Sequence, residues 1–158
     1  MSGSLHVLRL EVASDASAFG SRVAELEGLA LTATTDDLNV LARTAVALHH
    51  AYGAFEAAIA RIAKVFGTEP SDQNWHRSLL ETMAMEVPGI RPPIVSSDAL
   101  PALRDLLAFR HFFRHAYTVP LDAARLLTLR RRALEACPRV LADFQRLDVW
   151  LATLASRA

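Results

Sequence analysis

The sequence predicts an all-α protein, an up-and-down bundle of about five helices. Three observations carry this. Ala, Leu and Arg, all strong helix formers, dominate the composition. Apolar residues recur at three- and four-residue intervals through two long stretches, the spacing of a buried helical stripe. No stretch alternates polar and apolar residues in a sustained way, so no sheet is expected.

The first helix is expected from about Ser14 to Leu31, with Thr32 to Asp37 as polar turn material. Asp36 or Asp37 supplies the N-cap of a long helix from Leu38 to about Phe66. Its stripe reads Leu41, Ala45, Leu48, Tyr52, Phe55, Ile59, Ile62 and Phe66. Gly67 ends that helix and Pro70 prevents its continuation. Asp72 caps a shorter helix, Asn74 to about Glu86. Pro88, Gly89, Pro92 and Pro93 keep Val87 to Ser97 irregular. Asp98 starts a helix that runs through Arg110–His115 and is limited by Pro120. Asp122 opens the last helix, kinked near Pro138 rather than ended there. Its stripe is read as Leu127, Leu134, Cys137, Leu141, Phe144, Leu147, Leu151 and Leu154.

At 158 residues, 52% hydrophobic and 22% charged, the chain is expected to fold as one domain, residues 1–158, and is not a disordered segment. Cys137 is the only cysteine, so no internal disulfide forms. The stretch before Asp15 lacks a signal-peptide pattern, and no window has eighteen uncharged apolar residues. A cytoplasmic protein that does not enter a membrane is expected. The net charge is zero but unevenly placed. Residues 1–60 carry seven acids against three arginines, so the remainder holds an excess of four positive charges. That asymmetry permits an anionic partner such as RNA or a nucleotide, and it equally suits arginines that solvate a helix face.

The residues that carry chemistry cluster at Arg110-His111-Phe112-Phe113-Arg114-His115-Ala116-Tyr117. On an ideal helix, at roughly 100° per residue, Arg110, Arg114, His111 and His115 share one arc, while Leu106, Phe109, Phe112 and Phe113 take the opposite one. Leu103 and Leu107 precede the charges on the same arc. A face apolar at one end and cationic at the other suits a partner such as a second copy of the chain. An imidazole can take a proton from a ribose 2′-hydroxyl or return one to a leaving oxygen, and a guanidinium can grip phosphate with two hydrogen bonds. Glu56, four residues after Tyr52 on one helix face, pairs with Arg110 or Arg114, or forms an ion pair inside the bundle. His49 and His50 are adjacent, so they point apart and make a poor metal pair. No metal and no cofactor are expected.

These residues resemble the HEPN (higher eukaryotes and prokaryotes nucleotide-binding) superfamily. Its members have an Arg, then Asn, Asp or His, then a short gap and a His, as in Arg110-His111-x-x-x-His115. His115-Ala116-Tyr117 is similar to the His-x-Tyr extension of HepT toxins, with His111 where their common form has Asn. Tyr52-x3-Glu56, Trp75-His76-x2-Leu79-Leu80 and Gly89-Ile90-Arg91-Pro92 look like a HepT-like subfamily, covering most of the chain from Val40 onward. The resemblance implies a homodimeric, metal-independent endoribonuclease from a toxin–antitoxin pair. Arg110 and His115 would be catalytic, with His111 in the supporting polar position. Arg114, Glu56 and Tyr52 are the candidate substrate contacts. Tyr117 matches the tyrosine that a partner nucleotidyltransferase antitoxin adenylylates. The alternative is a catalytically inactive HEPN module that binds a nucleotide or a nucleotidyltransferase partner, and a purely structural dimerisation domain is a third reading.

Overall fold

The computed structural model describes residues 2–115 and 120–157. Five helices follow in order: α1 (Ser2–Glu27), α2 (Leu38–Val65), α3 (Trp75–Met83), α4 (Leu100–His115) and α5 (Ala123–Ser156). Among the described residues the only β-type pairing is an isolated bridge between Val87 and Arg91. No described helix is long and apolar enough to cross a membrane.

Helix α1 begins a full three turns before the expected Ser14. Leu5, Leu8, Val12, Phe19, Val23 and Leu26 are all buried at three-four spacing, so the stripe reaches back to the start. Exposed Val7 and Leu10 make the opposite face apolar too, which blurs the pattern in sequence. Arg9 clamps this half of α1 to α5 through two bonds to the Asp148 carboxylate, 2.7 and 2.9 Å. The Phe55 ring lies 6.3 Å from Phe19 and 6.0 Å from Phe144, tying α1, α2 and α5 into one core.

The ends of α2 follow from its caps. Asp37, rather than Asp36, accepts from the backbone N–H groups of Asn39 and Val40. At the other end Gly67 takes φ 63°, and the Thr68 N–H donates to the Ala63 carbonyl at 2.8 Å. This is a Schellman stop, which a side chain at position 67 would strain. The expected α2 stripe is buried from Leu41 to Ile62, with Phe66 half-buried.

Helix α3 stops three residues before the expected Glu86, because the following loop takes over its carbonyls. Pro88 and Gly89 (φ 75°) make a type II turn, and Arg91 folds back beneath α3. Arg91 is 3% exposed and donates to the Thr82, Met85 and Pro92 carbonyls. Ile94 and Val95 N–H groups both reach the Met83 carbonyl. Asp98 falls in the turn before α4, which starts two residues later than expected, at Leu100.

Helix α5 is capped by Asp122 and runs through Pro138 to Ser156. Before the proline its buried stripe is Leu126, Leu129, Ala133 and Ala136, one residue earlier than the expected Leu127, Leu134 and Cys137. The expected residues are half-buried on the flank. Paired apolar positions such as Leu126 and Leu127 allow either choice, and the alanines face inward because they let neighbouring helices approach closely.

Candidate functional site

Three elements meet at the site: the middle of α2, the first turn of α3 and the last turn and a half of α4. Leu103, Leu106 and Phe109 are buried and anchor α4. Phe113 stacks on Phe109 and lies 5.2 Å from the His49 ring of α2. Leu103 is wholly buried, so the start of its arc packs toward α2 and α3 of the same chain, while Leu107 is half-buried and His111, Arg114 and His115 farther along that arc are exposed. Arg110, one heptad after Leu103, therefore points to the edge of the core, with its side chain only 18% exposed.

Glu56 meets it there. The Arg110 Nη1 donates to Glu56 Oε1 at 2.5 Å, and His76 Nδ1 donates to Glu56 Oε2 at 2.9 Å. A carboxylate oxygen only accepts, so His76 carries its neutral-state proton on Nδ1. Both carboxylate oxygens are occupied by one chain-internal partner each. The Arg110 guanidinium also lies 5.9 Å from the Tyr52 ring centroid. Among the described residues its Nε is buried with no partner, and Nη2 makes no hydrogen bond.

Tyr52 is 0% exposed and its hydroxyl has no partner among the described residues. Burial, then the Glu56 charge, push its phenol far above the usual range, so it is neutral. Tyr52 and Glu56, expected as substrate contacts, are buried and lie against Arg110 as its floor and clamp. The remaining site residues face outward: His111, Arg114 and His115 are exposed. His115 Nδ1 donates to the His111 backbone carbonyl at 2.8 Å, which leaves Nε2 open to solvent. The two imidazole rings lie 4.7 Å apart. Tyr117 lies outside the described residues.

Sequence reasoning missed two members. The sequence offers His76 only as part of a family pattern, yet it completes the Glu56 clamp. His49 was weighed only as a metal ligand with His50, yet burial lowers its pKa, with Arg110, His50 and Arg114 acting in the same direction. Its signal was present: His49, Tyr52 and Glu56 stand at i, i+3 and i+7, one face of α2. Among the described residues no three His, Cys, Asp or Glu side chains gather as a metal site. A hollow of about 730 Å³ between α1 and α5 lies apart from this cluster, and the Arg9–Asp148 pair holds its only ionic groups.

A family model described as HepT-like protein matches residues 43–150. No curated protein and no solved structure matches the chain. The matched span includes Glu56, His76, Arg110, His111 and His115, and it leaves out all of α1. With well over half of its length matched, from early α2 into the last turns of α5, this chain belongs to the HepT-like protein family, of HEPN type.

Proposed function

We propose that this protein is a metal-independent endoribonuclease that works as a homodimeric toxin paired with a nucleotidyltransferase antitoxin. The observation that supports this best is His115. A bond from Nδ1 to a carbonyl sets its tautomer, so the neutral ring presents a bare, exposed Nε2 within about one turn of an anchored guanidinium. Such a nitrogen is a ready proton acceptor.

In the reaction, His115 Nε2 takes the proton of the ribose 2′-hydroxyl. The 2′-oxygen then bonds to phosphorus, and the bond from phosphorus to the 5′-oxygen breaks. That leaving oxygen takes a proton from the imidazolium of His111. The products are a 2′,3′-cyclic phosphate and a 5′-hydroxyl end. Arg110, through its open Nη2, and Arg114 stabilise the negative charge that builds on the phosphoryl oxygens. In a two-fold dimer the two cationic turns would lie side by side, and the RNA phosphate would relieve their repulsion. Adenylylation of Tyr117, two residues past His115 in sequence, would add a bulky anion close to the catalytic residues and block them.

The test uses total cellular RNA, excess EDTA, the wild-type protein and His115→Ala. Cleavage by wild type alone, with cyclic-phosphate ends, is expected. Persistent cleavage by His115→Ala would sink the mechanism. A second reading is favoured by the Glu56–Arg110 pair, which already neutralises much of the arginine: a silent module that binds a nucleotide or a nucleotidyltransferase. It expects no cleavage by folded wild type and partner binding that survives loss of Arg110 and His115.

A further inference from the structure

We infer that the groove between α3 and α4 binds the single-stranded RNA that flanks the scissile phosphate, an inference that rests on the ribonuclease reading for the nature of the strand. The groove encloses about 540 Å³, within the roughly 300–1,000 Å³ of small-molecule sites. Its walls carry Arg77 from α3 and Arg104, Arg110 and Arg114 from α4, with His76 and His111 between them. No Asp or Glu lines it.

Most arginines of the chain are held by a carboxylate or a carbonyl. Arg104 is gripped by Glu81 at 2.6 and 2.7 Å, and Arg110 by Glu56. Arg77 and Arg114 are exposed and have neither kind of partner among the described residues. Neither guanidinium has an ion-pair partner among the described residues, although the Glu81 carboxylate feels Arg77 through space, and the concave surface they share is lined by no acid, so it carries a raised potential that an anion lowers. That is charge complementarity to phosphate.

The dimensions favour a strand over a lone anion. From Arg104 to Arg114 the α4 axis rises about 15 Å, so the cations are spread along a track rather than gathered at a point. Leu107 and Ala108 form an apolar floor between them. The amides of Gln73 and Asn74 stand at the rim, and Asn74 makes no capping bond with its side chain. Guanidinium groups on phosphates, apolar floor beneath a base and amides at base edges are how proteins hold single-stranded RNA. His111 lines the groove and also neighbours His115, so a strand seated here leads its next phosphate onto the catalytic turn.

Arg77 is exposed and makes no hydrogen bond among the described residues, so Arg77→Gln removes one groove cation and leaves His111 and His115 in place. The probe is a labelled ten-residue 2′-O-methyl oligoribonucleotide, which cannot be cleaved by 2′-hydroxyl attack. Its binding to the full-length wild type and to Arg77→Gln is measured across a salt series. Arg77→Gln is expected to bind about three- to tenfold more weakly and to lower the salt slope by about 0.7, the share of one phosphate on a single strand. On cleavable RNA it is expected to raise KM for the ten-mer at unchanged kcat and to leave a dinucleotide unaffected. Equal affinity and slope for the two proteins would overturn the assignment. So would AMP displacing the probe as well as the unlabelled ten-mer does, which marks a mononucleotide site. A changed monomer–dimer balance in place of changed RNA affinity would give the groove to a second copy. Strand binding with the expected Arg77 effect but no cleavage by wild type would overturn only the ribonuclease reading.

Discussion

Glu56 and Arg110, separated by 54 positions in sequence, meet at 2.5 Å at the edge of the core. Glu56 is buried and shares its second oxygen with His76. The pair therefore fixes the position of the arginine through Nη1 and leaves Nη2 without a hydrogen bond among the described residues. Glu56→Gln keeps the shape but turns one acceptor oxygen into an amide that donates toward a cation. The expected cost is about 1–3 kcal/mol of stability, read by denaturant melts. RNA cleavage should fall through kcat, because Arg110 loses its aim while His115 is untouched. Unchanged kcat in a folded Glu56→Gln protein would show that the clamp has no bearing on the chemistry.

Tyr52 gives a sharper separation of support from contact. Its hydroxyl is buried and has no partner among the described residues, so deleting it removes an unsatisfied polar group. Tyr52→Phe is expected to be neutral or to gain up to about 1 kcal/mol, with cleavage unchanged. A large loss of activity would mean that the hydroxyl reaches substrate after all.

The protonation of His49 makes stability depend on pH. Burial first, then the neighbouring Arg110, His50 and Arg114 side chains, hold its folded pKa below the ordinary 6.5. As pH falls through about 6.5 the unfolded chain gains this proton and the folded one does not. Stability is therefore full above that value and declines from there down to the folded pKa. Thermal melts of wild type and His49→Gln between pH 8 and pH 5 check this. The variant should lose less Tm on acidification, and superimposable pH profiles would refute the assignment.

Much of this arrangement was legible in the sequence, and the exceptions have a common cause. The caps at Asp37 and Asp122 and the stop at Gly67 depend on neighbours within five residues, and the structure places them as read. The same holds for the α2 stripe, where one apolar residue occupies each inward position. Errors arise where a helix has two apolar faces, as in the first twelve residues of α1 and at Leu126-Leu127 in α5. The site shows the same limit. A helical wheel places Arg110 and His111 on one arc, but only packing shows that Arg110 turns inward against Tyr52 while His111 stays outside. The buried Leu103 seven residues earlier held that information, and reading it needed the position of α2. His76 was hidden for the same reason, since its role exists only across the gap between α3 and Glu56.

The loop latch at Arg91 supplies the last expectation. This arginine is 3% exposed, burial lowers its pKa, and no carboxylate compensates it. Its charge is met by three backbone carbonyls, two of them at the end of α3, where the helix dipole is negative. The Thr82 carbonyl also accepts from the Met85 N–H, so removing the side chain leaves mainly the Met85 and Pro92 carbonyls without their donor. Arg91→Leu should therefore cost roughly 2–4 kcal/mol, the range for orphaning several buried polar groups. Lysine carries the charge but not the fork, so Arg91→Lys should recover only part of the loss. Because α3 carries His76 and Arg77, loosening its end should also weaken strand binding, and limited proteolysis should cut first between Met85 and Pro93. Wild-type stability in Arg91→Leu would show that water replaces the guanidinium without cost, and the latch would then have no structural role.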